Sequence, residues 1–161
     1  MLKRLLYLLE VYLLTVLIFI GAKVAFMACY AGSNPFTAND VADVIVHGLS
    51  LDLSMGLYVI SLPFLCLMVS IWWPVRLLRL LLRIYYVILS LAFALAFVAD
   101  TSLYEFWLFK LDASCLQYLE TPTEAMASVT TGYLLVRLLA VVLLTALFTW
   151  LYWHMPLRLT K

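Results

Sequence analysis

The side chains with the greatest capacity for chemistry are ionisable groups at the ends of long apolar stretches. Asp52 opens the second stretch, five residues after His47. Asp100 closes the third stretch, with Tyr104 one turn further on, and Arg137 lies about a turn and a half into the fourth. Because charges within membrane spans are costly, they are functional candidates: Arg137 could pair with Asp52 or Asp100, or hold a lipid phosphate in its forked donors. Alternatively, these side chains only reach the headgroups and contact no substrate.

No set of residues for catalysis or metal binding can be assembled from the sequence. No Ser or Thr lies in a nucleophile motif beside a base, and no His, Asp and Glu cluster has the spacing of metal ligands. Cys29, Cys66 and Cys115 follow neither metal nor redox spacing and are expected to pack among other side chains. Phosphate-binding glycine loops and dinucleotide fingerprints are absent as well. The sequence therefore predicts no catalytic residue, cofactor or metal in this chain.

The composition determines the class of protein in which these side chains lie. Of 161 residues, 67% are apolar and only 12% are charged, whereas soluble domains have about 45–50% apolar and about 25% charged residues. A chain this short has too little interior to bury so much apolar surface. Soluble and disordered proteins are therefore excluded. Ten Lys+Arg against nine Asp+Glu also leave no positive excess for binding nucleic acid.

Four apolar stretches reach the length of about 20 residues that a spanning helix needs. We place the spans at about residues 5–30, 50–73, 77–99 and 132–153. Pro63 lies within the second span, where it removes one backbone hydrogen bond and predicts a kink. The predicted fold class is an all-α integral membrane protein. A single domain over residues 1–161 would form a four-helix transmembrane bundle.

Short amphipathic interfacial helices are predicted on the extracytoplasmic side, in segments at about 31–49 and 100–131. Asn39 is the expected N-cap of the first helix. Apolar residues recur at helical spacing in the second segment, namely Leu103, Phe106, Trp107 and Leu111. A capping box at residues 121–124 predicts a further short helix over 122–129. These helices either seal the bundle or form a platform that meets lipid headgroups or an external domain.

Basic residues are distributed unequally between the two predicted sides of the membrane. Seven of the ten Lys and Arg residues lie on the side of the chain termini: Lys3, Arg4, Arg76, Arg79, Arg83, Arg158 and Lys161. Eight of the nine acidic residues lie on the other side or at its interface. Because basic loops stay in the cytoplasm, both termini are predicted to be cytoplasmic. Four spans are consistent with that arrangement.

Four sequence strings, in chain order, resemble a known family. They are residues 6–15 (LYLLEVYLLT), 47–54 (HGLSLDLS), Asp100 to Ala113 with Tyr104, Trp107 and Asp112, and Tyr118 to Ser128 with Pro122. Together they resemble the N-terminal transmembrane domain of lipoteichoic acid synthase-like, sulfatase-fold membrane proteins, particularly those of Bacteroidota. The resemblance covers nearly the whole chain. It implies a bacterial inner (cytoplasmic) membrane location.

The resemblance implies a membrane domain that normally works with a catalytic partner. In that family, five spans precede an extracytoplasmic domain similar to alkaline phosphatase, with a Thr nucleophile and a divalent metal, often Mn²⁺. That domain transfers phosphoglycerol or phosphoethanolamine groups, or acts as a sulfatase-like hydrolase. The present sequence has no counterpart of the fifth span, the nucleophile or the metal ligands. The expectation is a truncated or split membrane domain that is not catalytic as it stands.

The implied role is a membrane anchor that presents lipid, with membrane lipids and an attached or separate extracytoplasmic catalytic domain as partners. The candidate residues for contact with headgroups are His47, Asp52, Asp100, Tyr104, Asp112 and Arg137. The alternative is a stand-alone small membrane protein that scaffolds or assembles an envelope complex. A channel or transporter is disfavoured, because the second span offers few polar residues besides Ser61 and Ser70.

Overall fold

The computed structural model describes residues 2–32, 36–70, 74–107 and 130–155. Within these ranges the chain forms four helices and no strands. The helices are α1 (Leu2–Tyr30), α2 (Ala38–Val69), α3 (Val75–Trp107) and α4 (Thr131–His154). The all-α fold class is thereby confirmed. The predicted helix over 122–129 lies outside the described residues.

All four helices are long and apolar enough to cross a membrane. A helix rises about 1.5 Å per residue, so even α4, with 24 residues, reaches about 36 Å and exceeds the roughly 30 Å of a bilayer core. Large apolar side chains are exposed along every helix, for example Leu17, Leu57, Ile88 and Leu139. Such surfaces suit lipid rather than water. These helices indicate a multi-pass membrane protein.

The chain divides into two compact units. The first contains α1, α2, α3 as far as Tyr85, and the end of α4 from Leu151; the second contains α3 from Tyr86 and α4 up to Trp150. In the first unit, α1 and α2 form an antiparallel hairpin. The buried residues of α2 form a stripe with spacings of three to four positions as far as Cys66, followed directly by Leu67: Asp52, Gly56, Val59, Pro63, Cys66 and Leu67.

Helix α2 begins earlier than the predicted second span because it has a complete N-terminal cap. Thr37 is the N-cap: its side chain accepts from the Asp40 backbone N–H, and the Asp40 carboxylate accepts from the Thr37 backbone N–H at 2.7 Å. Asn39, the predicted cap, is instead inside the helix. Gly48 and several weak helix formers follow, but a helix that packs on a neighbour tolerates them. The predicted interfacial helix is therefore the first part of α2.

Pro63 lies inside α2, and its missing N–H leaves the Val59 carbonyl without the usual helical donor. The Tyr85 hydroxyl of α3 donates to this carbonyl oxygen at 2.9 Å. A backbone group freed by proline within a membrane helix needs such a partner, because lipid offers none. The contact therefore joins α2 to the first part of α3.

In the second unit, α3 packs on α4 through small and medium apolar side chains. Ala94 and Val98 are buried against Val141. Helix α3 continues past the predicted end of its span at residue 99 as far as Trp107. The hydroxyls of Thr101 and Ser102 hydrogen-bond back to carbonyls one turn earlier, at 2.7–3.0 Å, so these polar residues remain compatible with the helix. The predicted interfacial residues 100–107 thus extend α3.

Candidate functional site

In the first unit, an ion pair joins α1 to α2. Lys23 Nζ donates to Asp52 Oδ2 at 2.6 Å, and the Asp52 side chain is only 6% exposed. The pair is possible because Gly48 lies one turn before Asp52: a Cβ at Gly48 would overlap the end of the Lys23 side chain. The sequence therefore supplies the acid, its partner and the space for that partner. Since each charge neutralises the other inside an apolar hairpin, this pair holds the two helices in register.

Gly56, one further turn along α2, makes the same interface narrow. A Cβ at Gly56 would lie 2.8 Å from Cε2 of Tyr12 and 3.3 Å from Cγ2 of Val16. The Tyr12 hydroxyl also donates to the Leu53 carbonyl oxygen at 3.4 Å. Small residues on one face let membrane helices approach closely, so glycine at this position has a packing role. This part of α2 is structural rather than chemically reactive.

The second unit has a more accessible polar cluster, formed by Glu105 at the end of α3 and by Tyr133 and Arg137 in the first turns of α4. The Tyr133 hydroxyl donates to Glu105 Oε2 at 2.9 Å, and Nη2 of Arg137 donates to the same oxygen. The Arg137 guanidinium carbon lies 4.8 Å from the centre of the Tyr133 ring. We call these residues the Glu105–Tyr133–Arg137 cluster.

The Arg137 guanidinium of this cluster is accessible to a ligand. The Arg137 and Glu105 side chains are 29% and 47% exposed, and exposed ion pairs typically contribute only about 0–1 kcal/mol to stability. A guanidinium carries five N–H donors in a planar fork, and within the described residues the side-chain partners of Arg137 are Glu105 and Tyr133. Glu105 and the Tyr133 ring hold the guanidinium in place. This arrangement can bind a phosphate oxygen while the aromatic ring lies beside it.

Of the candidate residues predicted from the sequence, His47 and Asp52 belong to the first unit, and Asp100, Tyr104 and Arg137 belong to the second. Asp52 has Lys23 as its partner and Arg137 has Glu105, so both charges pair with residues that the sequence reasoning did not select. His47 is exposed, with Nδ1 2.7 Å from the Asp43 carbonyl oxygen of its own helix. Asp100 and Tyr104 are partly buried and lie one turn apart on α3. Asp112 lies outside the described residues.

Three residues of these sites were missed, namely Lys23, Glu105 and Tyr133. Finding Lys23 would have required knowing which faces of α1 and α2 meet, because Lys23 lies seven residues before the end of α1 and Asp52 fourteen residues after the start of α2. A signal for Glu105 would have required knowing that α3 continues to Trp107.

No group of His, Cys, Asp or Glu in the described parts of the chain could hold a metal ion. Comparisons with protein-family models, with curated proteins and with solved structures found no match. The four long apolar helices by themselves indicate the class of protein, which is a multi-pass, all-α membrane protein.

Proposed function

We propose that the chain is the membrane anchor and lipid-presenting domain of a lipoteichoic acid synthase-like phosphoglycerol or phosphoethanolamine transferase. The transfer itself would be carried out by a Thr nucleophile and a divalent metal in an extracytoplasmic catalytic domain, attached or separate. The chain would lie in the bacterial inner membrane with both termini in the cytoplasm. Its contribution is to hold a donor phospholipid by its phosphate.

The observation that carries this proposal is the Glu105–Tyr133–Arg137 cluster. Arg137 is positioned by an acid and by an aromatic ring and is 29% exposed, so its planar fork can donate to a phosphodiester. The cluster lies where α3 ends and α4 begins. On the predicted topology this is the extracytoplasmic side, where a transferase domain would collect its lipid. The ordered sequence resemblance supports the same role.

Lipid binding by Arg137 can be tested on the detergent-purified chain. Native mass spectrometry would count bound phosphatidylglycerol and phosphatidylethanolamine for the unmodified chain and for Arg137→Gln. Loss of the charge-assisted hydrogen bonds should weaken binding on the order of tenfold. Arg4→Gln is the matched control, because it removes one positive charge from α1, on the opposite predicted side of the membrane, and should leave this binding unchanged. Equal binding by Arg137→Gln and the unmodified chain would contradict the lipid-presenting role.

The link to a catalytic domain has its own measurement. An antibody raised against the N-terminal region would be used to blot native membranes. A band several-fold heavier than 18.4 kDa, or a phosphotransferase that co-purifies with an 18.4 kDa band, is the expected result. An 18.4 kDa band with no such partner would favour the alternative, a stand-alone scaffold of the cell envelope.

A further inference from the structure

The first turns of α3 carry three arginines on one face. Arg76, Arg79 and Arg83 are separated by three and four positions, so at about 100° per residue they fall within an arc of about 60°. Leu78 and Leu82, the buried residues of the same turns, point elsewhere. Arg79 lies at the edge of the buried stripe and is partly covered, whereas the other two arginines are exposed.

The protein does not use the charge of this face. In the described parts of the chain the ion pairs are those of Lys23 and Arg137, so none of the three arginines is paired with an acid. The Nε atom of Arg79 is buried without a hydrogen-bond partner. A buried donor that remains unsatisfied is unfavourable, and a guanidinium has no acceptor of its own. The buried Nε is not itself accessible to a ligand, but the charge of the exposed Arg76 and Arg83 beside it favours an anion on this face.

An aromatic residue from α4 completes the surface. The Arg83 guanidinium carbon lies 5.9 Å from the centre of the Trp153 ring, in the last turn of α4, and Trp153 is half-exposed. Tryptophan at a helix end is typical of the headgroup level of a bilayer. Leu80 and Ile84, which flank the arginines on the outward face of α3, are more than half-exposed. On the surface of the protein, the basic patch formed by the arginines is thus directly followed by an apolar patch.

We propose that Arg79, Arg83 and Trp153 form a binding site for the phosphate of an anionic phospholipid, with an acyl chain along Leu80 and Ile84. Charge selects an anionic over a zwitterionic headgroup, since each basic residue near such a surface adds to the attraction. This site is separate from the Glu105–Tyr133–Arg137 cluster, because Trp153 and Arg137 are at opposite ends of α4. It stands whether or not the chain serves a transferase.

The test is a lipid titration of the detergent-purified full chain, read by native mass spectrometry. Dioleoyl phosphatidylglycerol and dioleoyl phosphatidylcholine have the same acyl chains, so their comparison isolates the headgroup charge. We expect preferential binding of phosphatidylglycerol. Each arginine should contribute about fivefold, so Arg79→Gln with Arg83→Gln should reduce that preference by about 25-fold. Trp153→Leu should reduce it several-fold.

The matched control is Arg4→Gln, which removes one positive charge from the same predicted side of the membrane but from α1. It should change binding less than twofold. An equal loss in Arg4→Gln and Arg83→Gln would show diffuse attraction and overturn the proposal, as would equal binding of the two lipids. Should the double variant fail to fold, Arg83→Lys decides, because it keeps the charge but loses the planar fork and should bind several-fold more weakly. Unchanged binding by a folded Arg83→Lys would then count against the site.

Discussion

We predict that the hydrogen bond from the Tyr85 hydroxyl to the Val59 carbonyl oxygen replaces the backbone hydrogen bond that Pro63 cannot form. The hydroxyl lies 2.9 Å from the carbonyl oxygen that an N–H at position 63 would otherwise reach. Tyr85→Phe removes that donor and leaves the carbonyl unpaired within a membrane helix. In the Pro63→Ala background the new alanine N–H can bond to Val59 instead, so the same substitution should have little effect.

The expected magnitude follows from the environment of the carbonyl. Leaving a buried acceptor unsatisfied costs about 1–3 kcal/mol in proteins, while hydrogen bonds between membrane helices average about 0.6 kcal/mol and reach about 1.7 kcal/mol. Tyr85 is only partly buried, which favours the middle of these ranges. We therefore expect Tyr85→Phe to lower the free energy of unfolding by about 1 kcal/mol with Pro63 present. In the Pro63→Ala background the loss should be about a few tenths of a kcal/mol.

The assay is a double-mutant cycle of the unmodified chain, both single variants and the double variant. Unfolding would be followed by helical circular dichroism as sodium dodecyl sulfate is titrated into mixed micelles. Tyr58→Phe is the matched control, since this tyrosine of α2 is 73% exposed and its hydroxyl has no role in the helix interface. A coupling energy of about 1 kcal/mol between positions 63 and 85 is expected. A coupling near zero would refute the idea that Tyr85 replaces the missing N–H.

The same titration tests three further substitutions. Asp52→Asn should lower the free energy of unfolding by about 3–5 kcal/mol, because Lys23 stays in the hairpin without its partner; Lys23→Met combined with Asp52→Leu should recover most of the loss. Gly56→Ala should lower the free energy of unfolding by about 1–3 kcal/mol, since the new methyl group displaces the Tyr12 ring. An unchanged free energy of unfolding would contradict this close contact between α1 and α2. Thr37→Ala should cost about 1 kcal/mol and speed hydrogen exchange in the first turn of α2, whereas Thr37→Ser should not.

The membrane helices could be predicted from the sequence because their signal is long and repeated. An apolar run of about twenty residues predicts a membrane helix from its own composition, without knowledge of its tertiary contacts. The ends of the helices were harder to predict from the sequence than the helices themselves. Thr37 and Asn39 are both good N-cap residues, and only the position of Asp40 relative to Thr37 decides between them. Similarly, Asp100, Thr101 and Ser102 look like a helix end, yet the two hydroxyls bond within the helix.

The candidate residues could be found by type, but their pairing could not. Charges at the ends of apolar runs drew attention to Asp52 and Arg137, and each has an ion-pair partner in the structure. Their partners depend on which helix faces meet, and that depends on details such as the space at Gly48. The charge of a residue therefore indicates where a polar site lies along the sequence, whereas the packing of the helices determines which residue becomes its partner.

The length of α2 has a mechanical consequence. Its 32 residues reach about 48 Å, against a hydrocarbon core of about 30 Å. Even at a tilt of about 40° the helix extends about 37 Å along the bilayer normal. At that tilt about 7 Å, or about six residues, exceeds the core, so the first turns with Asp40 and Asp43 can extend beyond the hydrocarbon. Any molecule that meets this tip does so at a height set by the helical rise, so four inserted residues would raise the contact by about 6 Å and keep nearly the same face.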